Sequence, residues 1–137
     1  MAVVIDASVA VGWLLKSQAT PMTTAVRESL AYEPGWVPSH FGIEVARSLR
    51  LHERRRLITA ELVDESLAVL RGIPLQQDLA ETIQVVASIV SLARRHTLRV
   101  ADAAYLELAL RLGLPLATRD VSLARAATQA GAALFTA

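Results

Sequence analysis

The 137 residues match one domain, large enough to bury a core without covalent or metal staples. Apolar residues at 53% exclude a disordered chain, and the absence of cysteine excludes disulfides, thiolate zinc sites and cysteine nucleophiles. Fourteen basic residues against 13 acidic ones give no bulk attraction to nucleic acid. All the basic residues except Lys16 are arginines, which suit bidentate phosphate or carboxylate recognition, although an Ala- and Arg-rich coding bias leaves the same mark.

The chain opens on Ala2-Val3-Val4-Ile5, a β-branched run that reads as a buried strand ended by Asp6. No basic leader precedes it, and the longest apolar stretch, Val85 to Ala93, is far short of the ~20 residues a membrane helix needs. A cytoplasmic protein is the expectation. A helix is predicted from Ser8 through Leu15. Thr20-Pro21, an N-cap followed by proline, opens another to about Ala31. Trp36-Val37-Pro38 allows a brief strand. Ser39 is expected to cap a helix from His40 to about Arg55, with the stripe Phe41, Val45, Ser48, Leu49 and His52.

Thr59 and Gly72 bracket a further helix bearing Leu62, Val63, Leu67 and Leu70, and Ile73-Pro74-Leu75 reads as a short strand. Leu79 to Arg95 is predicted as a long amphipathic helix. Asp102 to Leu112 is a helix apolar on nearly every side except Glu107 and Arg111, hence buried. Gly113 and Pro115 end it, Leu116-Ala117 starts a strand, a helix runs from about Ser122 to Ala130, and Ala133-Leu134-Phe135 is a last strand. Strands alternating with helices imply a mostly parallel sheet covered on both faces, in a single domain over residues 1–137.

Ligands in open α/β folds bind beyond the carboxyl ends of the strands. Asp6 follows the first strand, Glu44 lies close after Trp36-Val37, and Asp120 follows Leu116-Ala117; Asp102 opens the helix that feeds that strand. Each acid alone has an ordinary explanation: Asp6, Asp102 and Asp120 as N-caps, Glu44 as a solvated border residue. Together, four anions on one sheet edge must stay partly protonated or hold cations, and an oxygen-only set suits Mg²⁺ or Mn²⁺ rather than zinc. Ser8 and Thr118, each two residues from an aspartate, are placed to orient a carboxylate or to make a cap or strand-end hydrogen bond.

Val4-Ile5-Asp6-Ala7-Ser8, Glu44 within Pro38 to Ala46, Asp102 within Ala101 to Leu106, and Thr118-Arg119-Asp120 together resemble a PIN domain over the whole chain. The 18-position separation of Asp102 and Asp120, with Gly113-x-Pro115 between them, is similar as well. The nearest group is the VapC-like toxins of type II toxin–antitoxin pairs. The resemblance implies a three-layer α/β/α fold around a short-stranded, mostly parallel sheet, and a Mg²⁺- or Mn²⁺-dependent endoribonuclease acting on RNA. It implies Asp6, Glu44, Asp102 and Asp120 as catalytic metal ligands, Ser8 and Thr118 as supporting polar groups, a homodimer, and a small antitoxin partner. Val121-Ser122 stands where some relatives carry a further acid.

Arg119, between Thr118 and Asp120, is placed for phosphate contact, with an outward salt bridge as the plainer reading. Arg47, Arg50 and Arg54, with Arg55 and Arg56, form the densest basic patch; it suits RNA phosphates, an acidic partner, or simply solvent. His40, His52 and His96 lack metal-ligand spacing, His52 reads as a semi-buried hydrogen-bonded residue, and Trp13 and Trp36 read as packing residues. A phosphotransfer receiver is excluded because the only lysine is Lys16. A dehalogenase-like phosphatase is excluded because position 8 is Ser8. The remaining rival is a catalytically silent PIN-like protein that acts by binding RNA or protein, which would not require four acids.

Overall fold

Four short strands, β1 (Val4–Ile5), β2 (Gly35–Val37), β3 (Leu75–Gln77) and β4 (Leu116–Ala117), lie in the order β3-β2-β1-β4, all parallel, in a computed structural model that describes residues 1–136. Val4 pairs with both Trp36 and Leu116, which makes β1 central and explains why Val4 and Ile5 are completely buried. The chain steps outward from β1 to β3 and then returns to the other side of β1 for β4. Right-handed crossovers therefore put the first two connections on one face of the sheet and the third on the other.

The helices divide accordingly. On one side α1 (Ala7–Leu14) packs on α2 (Pro21–Ser29), α3 (Phe41–Arg54) and α4 (Ala60–Arg71); on the other α5 (Ile83–His96) packs on α6 (Val100–Leu112), and α6 on α7 (Val121–Ala130). The core is aliphatic, as a chain poor in aromatics requires, with Phe41 and Tyr105 the buried rings among the described residues. Helix α6 lies between the sheet and α5, so its all-round apolar character is accounted for. A Cβ at Gly12 would sit 2.6 Å from Thr23 Cγ2 and 3.0 Å from the Gln18 carbonyl oxygen, so α1 meets α2 this closely because position 12 has no side chain.

Several expected boundaries move for local reasons. The Thr20 and Thr59 side chains cap α2 and α4 as anticipated. Ser39 does not cap α3: its N–H and hydroxyl both donate to the Glu81 carboxylate, at 2.9 and 2.6 Å. The helix expected from Leu79 starts at Ile83, because Asp78 extends the ladder to Val37 and accepts from Ala80 N–H, and Thr82 supplies the cap. The strand expected at Ile73 to Leu75 begins at Leu75 and runs to Gln77. The expected last strand is reduced to one parallel bridge, Leu116 to Leu134. On α4, Leu67 is exposed rather than part of the stripe.

Glu107, read from sequence as part of the polar side of α6, is instead buried, and Arg111 reaches over it from the surface. Arg111 donates to Glu107 from Nε at 2.9 Å and from Nη2 at 3.0 Å, and to Asp78 Oδ2 at 2.6 Å. Glu107 is 8% and Asp78 5% exposed, so one guanidinium bonds two buried carboxylates and ties α6 to the end of β3. The Arg111 contact holds the Asp78 carboxyl below its ordinary value despite burial. Its stabilisation is therefore complete above the unfolded-state value of about 4 and is lost as pH falls through the lower folded-state value. Arg111→Met leaves both carboxylates without a counter-ion and is expected to cost about 2–3 kcal/mol in urea unfolding at neutral pH, with the loss shrinking in acid. A variant as stable as the parent at pH 7 would show that the ion pairs carry no net stabilisation.

Candidate active site

Strand order reverses between β1 and β4, and at such a switch point the two connections leave in opposite directions and open a crevice at the carboxyl ends. Asp6 leaves β1 into that crevice, and Thr118-Arg119-Asp120 leave β4 beside it. Asp6 occupies the N-cap position of α1 but makes no capping bond. Its Oδ2 instead accepts from Ser8 Oγ at 2.6 Å and Thr118 Oγ1 at 2.7 Å. The backbone N–H of Arg119 donates to Ser8 Oγ, and that of Asp120 to Thr118 Oγ1, both at 3.0 Å. With those lone pairs taken, both hydroxyl hydrogens point at Asp6.

Glu44 comes from the first turn of α3 and is half-buried, not solvated. Its Oε1 accepts from the hydroxyl of Tyr105, a fully buried residue of α6, and lies 3.4 Å from His40 Nε2. The same His40 nitrogen is 2.9 Å from the Ala101 carbonyl oxygen, which can only accept, so Nε2 carries the hydrogen. Asp102 lies in the first turn of α6 rather than capping it, where the helix dipole favours an anion, and its Oδ2 receives Arg99 Nε at 3.2 Å. Asp120 does cap its helix: Oδ1 accepts from the N–H groups of Ser122 and Leu123.

All four acids line one cleft of about 260 Å³, together with Ser8, Gln18, Ser48, Arg99 and Arg119. Thr118 stands behind Asp6, and Arg119 is held at the rim by Gln18 Oε1, 3.1 Å from its Nη1. A larger groove of about 1030 Å³ lies at the amino ends of the strands, near Met1 and Pro115, but Glu28 is its only carboxylate side chain among the described residues. The basic patch of Arg47, Arg50, Arg54, Arg55 and Arg56 is exposed, with Arg50 paired to Glu53 at 3.2 Å. His52 is semi-buried on the Ser48 carbonyl, and Trp13 and Trp36 pack against the core.

Burial pushes the Asp6 carboxyl up, the two hydroxyls pull it back, and the charges of Glu44 and Asp102 push it up again, leaving it above its ordinary value. Burial also raises Glu44, but hydrogen bonds from His40 and Tyr105 outweigh it and bring that carboxyl below its ordinary value. The Glu44 contact raises His40 against its own burial. Burial is thus the main reason that Asp6 lies high, with the neighbouring carboxylates adding to it.

The donor set fits a hard divalent ion. In each of the four carboxylates one oxygen takes every protein hydrogen bond found among the described residues, and the other takes none. No group of three such side chains among the described residues is drawn together enough to grip an ion directly. Mg²⁺ does not require that, since it keeps several waters and binds through one or two carboxylates plus substrate phosphate. Asp6, Glu44, Asp102 and Asp120 are the residues that would hold it.

Four contributors escaped the sequence reading: Tyr105, Arg99, His40 and Gln18. Arg99 and His40 stand three and four positions before Asp102 and Glu44, the acids they contact, so for these two the helical spacing carried a signal. Gln18 lies in the 3-10 turn Lys16–Gln18 after α1, and nothing local marks it.

A protein-family model described as the PIN domain matches residues 3–129. Ribonuclease VapC3 of Mycobacterium tuberculosis is 38% identical over 124 residues, covering 90% of this chain and 86% of that protein. Ribonuclease VapC12 of the same organism is 35% identical over 131 residues, covering 90% of each. Among solved structures, M. tuberculosis VapC20, described as a sarcin-ricin loop cleaving toxin, superposes with a TM-score of 0.68 at 13% identity, covering 98% of this chain and 99% of that one.

Tyr105→Phe conserves volume while deleting one hydrogen bond to the ionised form of Glu44, at a cost of about 1 kcal/mol in stability. The Glu44 carboxyl is expected to titrate at higher pH in the variant, measured by carbon NMR of the metal-free protein. An unmoved Glu44 titration would show that the tyrosine hydroxyl does not hold it.

Proposed function

Because the chain belongs to the PIN domain family, we propose that it is a Mg²⁺- or Mn²⁺-dependent endoribonuclease and the toxin half of a toxin–antitoxin pair. The observation that carries this reading is the cleft at the β1–β4 reversal, where four carboxylates each keep one oxygen clear of protein donors. Identity to ribonucleases along nearly the whole chain supports RNA as the substrate.

When bound, a divalent ion would make water nucleophilic near neutral pH and stabilise charge on the phosphate oxygens. The chain's own contribution is to hold the ligand oxygens. Ser8 and Thr118 fix the Asp6 carboxylate, Tyr105 and His40 fix Glu44, and the first N–H groups of α7 fix Asp120. Without a cation the cleft repels a phosphodiester, since two unit charges ~4 Å apart interact by roughly 4 kcal/mol at an effective dielectric near 20. Arg119, steadied by Gln18 at the rim, offers its guanidinium to a substrate phosphate. Residues 1–137 act as a PIN-like domain that forms a homodimer in the cytoplasm and is kept silent by a small antitoxin. Among the described residues no helix is long and apolar enough to cross a membrane.

Purified free of any antitoxin, the protein is expected to cut RNA with Mg²⁺ or Mn²⁺ and to stop when EDTA is added. Asp6→Ala and Asp102→Ala should abolish cutting while circular dichroism stays unchanged. Ser8→Ala, which removes a group that orients a ligand, should lose about 10–100-fold in activity. Cutting that persists in EDTA or in the aspartate variants would overturn the mechanism.

A further inference from the structure

The four carboxylates of the cleft differ in what holds them. Asp6 is held by two hydroxyls locked by backbone N–H groups, Glu44 by a buried tyrosine and a histidine pinned to a carbonyl, and Asp120 by its own helix. These holders are fixed by the fold. Asp102 alone is held by a long, charged side chain, Arg99, which is 72% exposed. Arg99 sits at the N-cap of α6 but its side chain makes no cap bond, so nothing in the helix requires it to stay where it is. The other arginine of the cleft, Arg119, is tied to Gln18 and makes no ion pair among the described residues.

Four acids against two arginines leave two uncompensated negative charges, the charge of one divalent ion. That ion and Arg99 would compete for Asp102, and two cations on one carboxylate repel. We propose that Arg99 is a built-in counter-ion that holds Asp102 until a divalent ion binds and then turns to the RNA phosphate entering beside it. This inference rests on the metal-dependent reading above, and the test separates the two.

The experiment is a Mn²⁺ titration followed by electron paramagnetic resonance on the wild type, Arg99→Ala, Arg99→Lys and Asp102→Asn, with steady-state RNA cleavage at saturating Mn²⁺. Exposed ion pairs are weak, so Arg99→Ala is expected to bind Mn²⁺ about two- to fivefold more tightly, while its KM for RNA rises. Arg99→Lys, which keeps the charge, should stay near the wild type in both. A merely structural arginine would weaken both when removed, because a frayed α6 would misplace Asp102. Arg99→Ala that binds Mn²⁺ no more tightly than the wild type overturns the proposal. If Asp102→Asn loses Mn²⁺ in that same case, the metal reading stands and only the role of Arg99 fails. If the wild type binds no Mn²⁺, or Asp102→Asn binds it unimpaired, the metal reading fails and the proposal with it.

Discussion

A carboxylate that is only 6% exposed, at the end of the central strand, sets the terms for the rest of this molecule. Asp6 cannot be solvated there, so its charge has to be met by the protein. The fold meets it with two hydroxyls rather than a cation. Those hydroxyls come from either side of the strand reversal, Ser8 from the start of α1 and Thr118 from the end of β4. The parallel ladder that joins β1 to β4 through Val4 N–H to Pro115 O and Asp6 N–H to Ala117 O is thereby continued by side chains beyond the last strand residue. Placing Asp6 and placing the Thr118–Asp120 segment are one structural event.

From that event the division of labour among the carboxylate oxygens follows. Orienting a carboxylate by one oxygen stiffens it without consuming the other, which is what a ligand for a partly hydrated ion requires. The positive groups stand at the rim and the hydroxyls within, so the cleft keeps an excess of anion that the surface hides. This is also why a net charge of +1 says so little about it. The average conceals an acidic interior beneath an arginine-rich exterior.

Sequence made much of this legible. The short apolar runs, threonine caps and glycine stops located β1, β2, β4 and most helix ends, because those signals are local. The four acids could be assigned to one edge because a parallel sheet delivers every strand end to the same side. What was hidden depended on tertiary partners. Ser39 looks like a cap until Glu81, 42 positions away, claims its donors. Glu107 looks like part of a wet helix face until Arg111 and Asp78 close over it in one ion-paired triad. Tyr105 belongs to the core, yet its one polar atom reaches Glu44 across 61 positions of chain. A polar atom on a buried ring needs a partner, and that requirement was the clue available from Tyr105 itself.

The stretch between β3 and α5 acquires a use from its two anchors. At one end Asp78 grips Arg111 of α6; three residues later Glu81 grips Ser39 at the threshold of α3. Helices α3 and α6 carry Glu44 and Asp102, the two acids supplied by first helical turns rather than strand ends. This short strap therefore joins the two helices that carry these carboxylates, with no hydrogen bond to Glu44 or Asp102 among the described residues. Lengthening or shortening the segment between residues 78 and 81 would retune the cleft from outside it, without altering a single residue that lines it.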